Sequence, residues 1–248
     1  MSAKGDLGQF EDPAVLSRVI AMREVATSQF PTVAAERLAW AMAWTHLVIW
    51  NSWKATYFFA DKYPKDDFPS YRDFAALSVD FLIAHHDAEE ETLFPELEKK
   101  IPGSMEENEA QHKAFLDGLV DLHGYITSTN ESDFKPATLR AKFDNILLPV
   151  MTHLAEELPT IEGSKIKQHY DEAGAAQLAK QLHKATRGES TKTLPFVLQN
   201  LPPGSPFPPA PKFVTGILGP WAFWWKHKNL WKYTAYPFKQ ELPDTVPI

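Results

Sequence analysis

The stretch His85-His86-Asp87-Ala88-Glu89-Glu90-Glu91-Thr92-Leu93-Phe94-Pro95 sets a histidine four residues before a glutamate twice, at 85/89 and at 86/90. Four residues is about one helical turn, so each pair places an imidazole and a carboxylate side by side on one helix face. Apolar residues recur at spacings of three and four around it, at Phe74, Leu77, Phe81, Leu82, Leu93 and Leu97, which predicts a helix from Ser70 to about Lys100. Imidazole and carboxylate are ligands of iron, zinc and manganese. Burying them is costly unless something satisfies them, and a metal would do so. Periodicity does not rank the two pairs, because both faces are apolar.

Outward from this stretch, the chain reads as further helices. Asp12-Pro13 predicts an N-cap with proline at the first helical position, opening a short helix to about Thr27. Pro31 starts a longer one to about Ala60, holding Trp40, Trp44, Trp50, Trp53 and Tyr57. After the Pro102-Gly103 break, Ser104-x-x-Glu107 predicts a capping box and a helix to about Thr127. Pro136 opens a fourth long helix to about Leu158, in which Pro149 predicts a kink one turn before His153. Residues 164 to 189 predict one more, polar helix. Four long helices on short loops predict an all-α fold, an up-and-down four-helix bundle in 31–162. Residues 1–30 form its lead-in with a short N-terminal helix. Residues 163–248 form a C-terminal helix and a Pro/aromatic extension packed on the bundle. Eleven of the 20 prolines and four of the eight tryptophans follow Ser190, which predicts few long regular elements there and an aromatic-rich segment wrapped on the body.

Each long helix offers one histidine in phase with apolar neighbours. His46 lies with Met42, Trp50 and Trp53; His85 with Leu82 and Leu93; His112 with Phe115 and Leu119; His153 with Val150. His153-x-x-x-Glu157 repeats the opening spacing. Ligands projected from facing helices to one centre are how bundle metal sites are built. His123 follows His112 by eleven residues, about 16 Å along a helix, and does not share its ion. His169, His183 and His227 fall outside the four helices.

Composition narrows the alternatives. The formal charge of −7 argues against nucleic acid. The absence of cysteine excludes disulfides, zinc ribbons, iron–sulfur clusters and thiol nucleophiles. No His-Glu-x-x-His, Gly-x-Ser-x-Gly or phosphate-cradling glycine loop is present. The polar start does not read as a secretory signal, and no apolar run approaches the ~20 residues of a transmembrane segment. A soluble cytoplasmic protein is the expectation. Phe213 to Trp225, followed by Lys226, His227 and Lys228, has the aromatic and basic character of a peripheral membrane contact, although Gly219-Pro220 predicts a break in any amphipathic helix there.

The segments HHDAEEETLFPELE (85–98), PGSMEENEAQHKAFLDGL (102–119) and MTHLAEELPTI (151–161) together resemble the hemerythrin-like, HHE cation-binding family, and specifically its fungal-type members. The likeness covers about residues 36 to 162, and TLPFVLQNLPPGSPFPPAPKF (193–213) with the Trp-rich end resembles more weakly the extension of such proteins. The resemblance implies a bundle carrying a non-haem di-iron centre, two Fe ions rather than Mn or Zn. It implies His46, His85, Glu89, His112, His153 and Glu157 as ligands. The family's spacing to Phe94-Pro95 selects His85 and Glu89 over His86 and Glu90. His86, Glu90 and Glu109 are then candidates to support the ligands from outside, Glu109 by a Glu-x-x-His spacing to His112 like that of ferritin-type bundles. Two departures stand out. Leu116 occupies the position where oxygen-carrying members hold a second third-helix histidine, and Glu157 follows His153 by four residues where they hold an aspartate at five. The expected function is a protein handling or sensing iron, O2 or NO. The alternative is a di-iron oxygenase or oxidase acting on a small organic substrate.

Overall fold

The computed structural model describes residues 7–185 and 190–247. The start of the polar leader (1–6) and the last residues of the helix expected to end at 189 (186–189) lie outside the described residues. The architecture is all-helical. The helices are α1 (Pro13–Val25), α2 (Ala34–Phe59), α3 (Phe68–Ala88), α4 (Phe94–Lys100), α5 (Glu106–Ser128), α6 (Pro136–Glu156), α7 (Gly163–His169), α8 (Glu172–Ala185) and α9 (Ser190–Gln199). Val214–Phe223 is wound with π-helical spacing and runs into Trp224–Lys226, and a last short helix spans Lys228–Trp231. The bundle is the ring α2, α3 with α4, α5 and α6, each packed on the next, with α6 closing onto α2.

The N-terminal piece has a structural task. Asp12 accepts a hydrogen bond from the Ala14 amide at 2.7 Å, as its N-cap position predicts. The turn before it drives Phe10 between Trp50, Tyr57 and Phe143, at ring-centroid distances of 5.1, 5.1 and 6.4 Å. Helix α1 then lies along α2 and α6. Helix α2 has 21 of its 26 residues buried. A helix apolar on every face is stable only when enclosed, and α1, α3, α6, α7 and α8 all pack on it. Trp53 at its centre is fully buried, donates to the Ser78 carbonyl at 3.0 Å and meets Phe143 edge-on. Trp53→Ala is expected to cost about 3–5 kcal/mol, read as a lowered urea midpoint.

Three local expectations are corrected. Ser104 makes no cap hydrogen bond to α5; the carboxylate of Glu98 instead accepts from the Gly103 and Met105 amides at 2.7 and 2.6 Å. A glutamate at the end of the preceding helix reaches the unpaired amides first, so no capping box forms. The helix expected from 164 onward is two, α7 and α8, separated at Tyr170 and Asp171. The Asp171 carboxylate accepts from the Gly174 amide, which starts α8 afresh. Gly219-Pro220 does not interrupt its helix. The wider π turn removes the clash between the proline ring and the preceding turn. Gly219 is where this segment crosses α9, and a methyl group there would come within 2.6 Å of Leu198.

The extension locks onto α2 and α3. Tyr233 inserts among Phe59, Tyr71 and Phe74. Its hydroxyl donates to Asp67, which also pairs with Lys232 at 2.5 Å. Asn51 donates to the Asn200 carbonyl at 2.8 Å.

Candidate metal centre

The decisive local feature is a single π-helical turn, Glu89–Leu93, between α3 and α4. The Phe94 amide donates to the Glu89 carbonyl five residues back. Pro95 next to it has no amide to give, so the ordinary four-residue ladder already lacks a donor there. Such wide turns re-aim side chains. Glu89 emerges between the two histidines of α3 and is completely buried.

His46, His85, Glu89 and Glu157 form one group whose ligand atoms all lie within 4.8 Å of one another. His86, Glu89, His112 and His153 form a second. Glu89 is common to both. Its Oε1 lies 3.1 Å from His85 Nε2, and its Oε2 lies 3.8 Å from His112 Nε2. Glu157 Oε2 lies 3.4 Å from His46 Nε2. All seven side chains are buried.

The outer nitrogens decide what the inner ones present. His46 Nδ1 faces the Leu154 carbonyl at 2.7 Å, so it carries the proton and donates. His112 Nδ1 faces a Glu90 carboxylate oxygen at 2.7 Å. His153 Nδ1 faces Gln111 Oε1 at 3.1 Å, and the Gln111 amide nitrogen donates to Glu156 at 3.0 Å. With the Nδ1 proton directed at an acceptor in each of the three rings, the Nε2 lone pair points inward. His112 Nε2 and His153 Nε2 approach to 2.9 Å with no proton left to share. His46 Nε2 and His85 Nε2 approach to 3.1 Å.

Burial reinforces the arrangement. Desolvation, with neighbouring histidines adding to it, holds His85, His86 and His153 well below the ordinary imidazole range. Desolvation, and then the Glu157 carboxylate, pushes Glu89 well above the ordinary carboxylate range. No hydrogen bond reaches either carboxylate oxygen of Glu89 or of Glu157. Four unsatisfied acceptor oxygens facing inward lone pairs are unfavourable unless positive charge lies among them. Cations bound by mixed nitrogen and oxygen ligands fit this donor set.

The residues read from sequence as ligands, His46, His85, Glu89, His112, His153 and Glu157, converge here. The three others separate. His86 is drawn into the second group itself, its ring stacked on His112 at 4.1 Å and its Nε2 buried without a hydrogen bond. Glu90 is half-exposed and reaches the cluster through His112. Glu109 stays apart and pairs with Lys113 at 3.8 Å. Leu116 is 51% exposed, so its position faces solvent, and Phe115 packs against His86, His112 and His153 instead. His123 pairs with Asp80 at 2.8 Å, away from the cluster. Sequence reading missed Gln111 and Arg18. Gln111 orients His153, and Arg18 lies 3.6 Å from Glu156, the carboxylate that Gln111 donates to. Neither carries a periodic signal, since both lie at the edge of their helices' buried faces.

A cavity of about 600 Å³ opens between α3 and the extension, lined in part by Asp73, Asp80, Trp225 and Lys228; no side chain of the cluster lines it. No helix among the described residues is long and apolar enough to cross a membrane.

The family described as Hemerythrin HHE cation binding domain matches residues 62–158. That segment holds α3 through α6 and every member of the cluster except His46, which α2 supplies. A protein of Cryptosporiopsis sp. (strain 8999), described as Dimeric xanthone biosynthesis cluster protein R11, is 35% identical over 158 residues, 60% of this chain and 59% of its own. The chain therefore spans about three-fifths of the length of that curated relative. No solved structure matches it significantly.

Proposed function

We propose that this chain, whose residues 62–158 match the hemerythrin HHE cation binding domain, is a non-haem di-iron protein that handles O2 or NO. The observation that carries the reading is the pair of four-residue groups sharing Glu89. In this reading His46, His85 and Glu157 hold one ion, His86, His112 and His153 hold the other, and Glu89 serves both. Bound iron at such a centre supplies electrons to a diatomic ligand. The chain's part is to position and to exclude. The Leu154 carbonyl, Glu90 and Gln111 fix three imidazoles with Nε2 inward. Phe94 and Phe115 pack against His112 and limit water. His86 and His112 are 7% and 5% exposed, against 3% for His85 and 0% for His46, His153 and both glutamates, so the His86–His112 side is the less deeply enclosed.

A second reading is an oxidase or oxygenase acting on a small organic substrate. It is favoured by the relative's description, which ties that protein to dimeric xanthone biosynthesis. Anaerobic purification followed by metal analysis and an absorption spectrum on admitting O2 tests the first reading. Two irons per chain and a new charge-transfer band that reverses under vacuum support it. A band that decays with irreversible O2 consumption transfers the case to the second reading. A chain that takes up neither iron nor another transition metal refutes both.

Glu90 offers a separate check. Its carboxylate is the hydrogen-bond acceptor that holds His112 in the ligating tautomer. Glu90→Ala is expected to weaken metal retention about 10–100-fold in competition with a chelator. Glu109→Ala, whose partner is Lys113, leaves it unchanged.

A further inference from the structure

The helical segment that begins at Phe213 packs one side on α9 and leaves the other bare. Gly219 is buried against Leu194 and Leu198. On the opposite side Phe213, Ile217, Trp221 and Trp225 recur every four residues and are 57%, 52%, 64% and 56% exposed. Among the described residues these are four of the most exposed large apolar side chains, and they lie on one continuous helical stretch. Single exposed apolar side chains are ordinary; a row of four with two tryptophans marks an interaction surface.

Lysines flank the row, and at its Trp225 end they share a cavity with Asp73 and Asp80 of α3. Residues 201–248 hold five lysines against one glutamate and one aspartate, in a chain whose overall charge is −7. Lys212 precedes Phe213. Lys239 Nζ lies over the rings of Trp224 and Trp225 at 4.3 and 4.6 Å, and Lys228 Nζ lies 5.8 Å from the Trp225 ring. Ammonium groups held beside indoles suit the boundary of a bilayer, where the rings sit at the headgroup level and the lysines meet lipid phosphates and carboxylates.

We propose that Phe213–Trp225 is an interfacial membrane-docking element that lays its exposed row into an anionic lipid surface. A second copy of the chain fits less well. Symmetric pairing through this row would bring Lys212, Lys228 and Lys239 of two copies together and repel. Phe213–Trp225 and its lysine rim share no side chain with the two His/Glu groups, so docking is independent of the di-iron reading.

The full chain is mixed with vesicles of phosphatidylcholine alone and of phosphatidylcholine with one-third phosphatidylserine, then sedimented. The expected result is partition onto the anionic vesicles with a blue-shifted tryptophan emission, weakened at ~0.5 M salt. Lys228→Glu with Lys239→Glu is expected to lower partition by about tenfold or more. Ile217→Ser with Trp221→Ser is expected to abolish it while the melting temperature stays at the wild-type value, because both side chains are exposed. Failure to bind anionic vesicles overturns the proposal, as does binding that both double variants retain. Self-association that Ile217→Ser with Trp221→Ser relieves, without vesicle binding, assigns the row to a second copy and overturns it too.

Discussion

Glu89→Gln is expected to empty both halves of the centre, whereas His86→Ala empties one. Glu89 is the one side chain common to the two groups, with one oxygen toward His85 and the other toward His112. An amide at this position offers one neutral oxygen in place of two anionic ones and turns a donor nitrogen toward the opposite ion. The loss is expected to exceed 100-fold in affinity for each ion, more than the 10–100-fold typical of removing a group that only supports a ligand. Measured as metal per chain after gel filtration, Glu89→Gln falls from about two toward zero. His86→Ala falls toward one, because His46, His85, Glu89 and Glu157 are untouched. His123→Ala, whose partner is Asp80, keeps both. Retention of two metals by His86→Ala would return that residue to a supporting role, and retention of one by Glu89→Gln would break the shared-carboxylate reading.

Removing the metal is expected to lower the melting temperature of the wild-type chain by about 10 °C, and to do so in a way that Glu89→Gln reverses. A ligand present at a thousandfold excess over its dissociation constant adds about 4 kcal/mol to the folded state, and a chain of this size moves a few degrees per kcal/mol. The metal-free wild type keeps two buried carboxylates without a hydrogen bond, beside inward-facing imidazole lone pairs. In the metal-free state Glu89→Gln supplies an N–H pair to those acceptors without the proton uptake that burial demands of Glu89, which is worth about 1–3 kcal/mol. The ranking of the two proteins therefore crosses: wild type melts higher when loaded, Glu89→Gln higher after chelation. Scanning calorimetry with and without chelator reads both. If wild type stays above the variant in both states, the buried carboxylates are satisfied by something other than a cation.

Legibility in the sequence followed the strength of the local signal. The four long helices, their order and the inward histidine of each were readable because apolar spacing at three and four is a one-dimensional pattern. The N-cap at Asp12 was readable for the same reason: it depends on residues two positions apart. The capping box at Ser104 was not, because Glu98 arrives from the end of the preceding helix. The continuity of the helix through Pro220 was not, because a wider turn against α9 sets aside the usual rule for proline.

The His85–His86 stretch divides the two kinds of information most clearly. Sequence alone determined that imidazoles and carboxylates would be buried together on helix faces, since helical geometry makes residues four apart neighbours whatever surrounds them. It left the pairs 85/89 and 86/90 unranked, and resemblance chose one of them. Tertiary structure divided the four residues differently. The π turn at Glu89 places that carboxylate between both histidines, α2 and the end of α6 bring His46 and Glu157 to one side, and α5 and α6 bring His112 and His153 to the other. Glu90 is left at the surface, reaching back to His112. A turn's winding and the approach of three separate helices are non-local, so no spacing within eleven residues encodes them; the ligand types were written in the chain, and their partition into two groups arose only on packing.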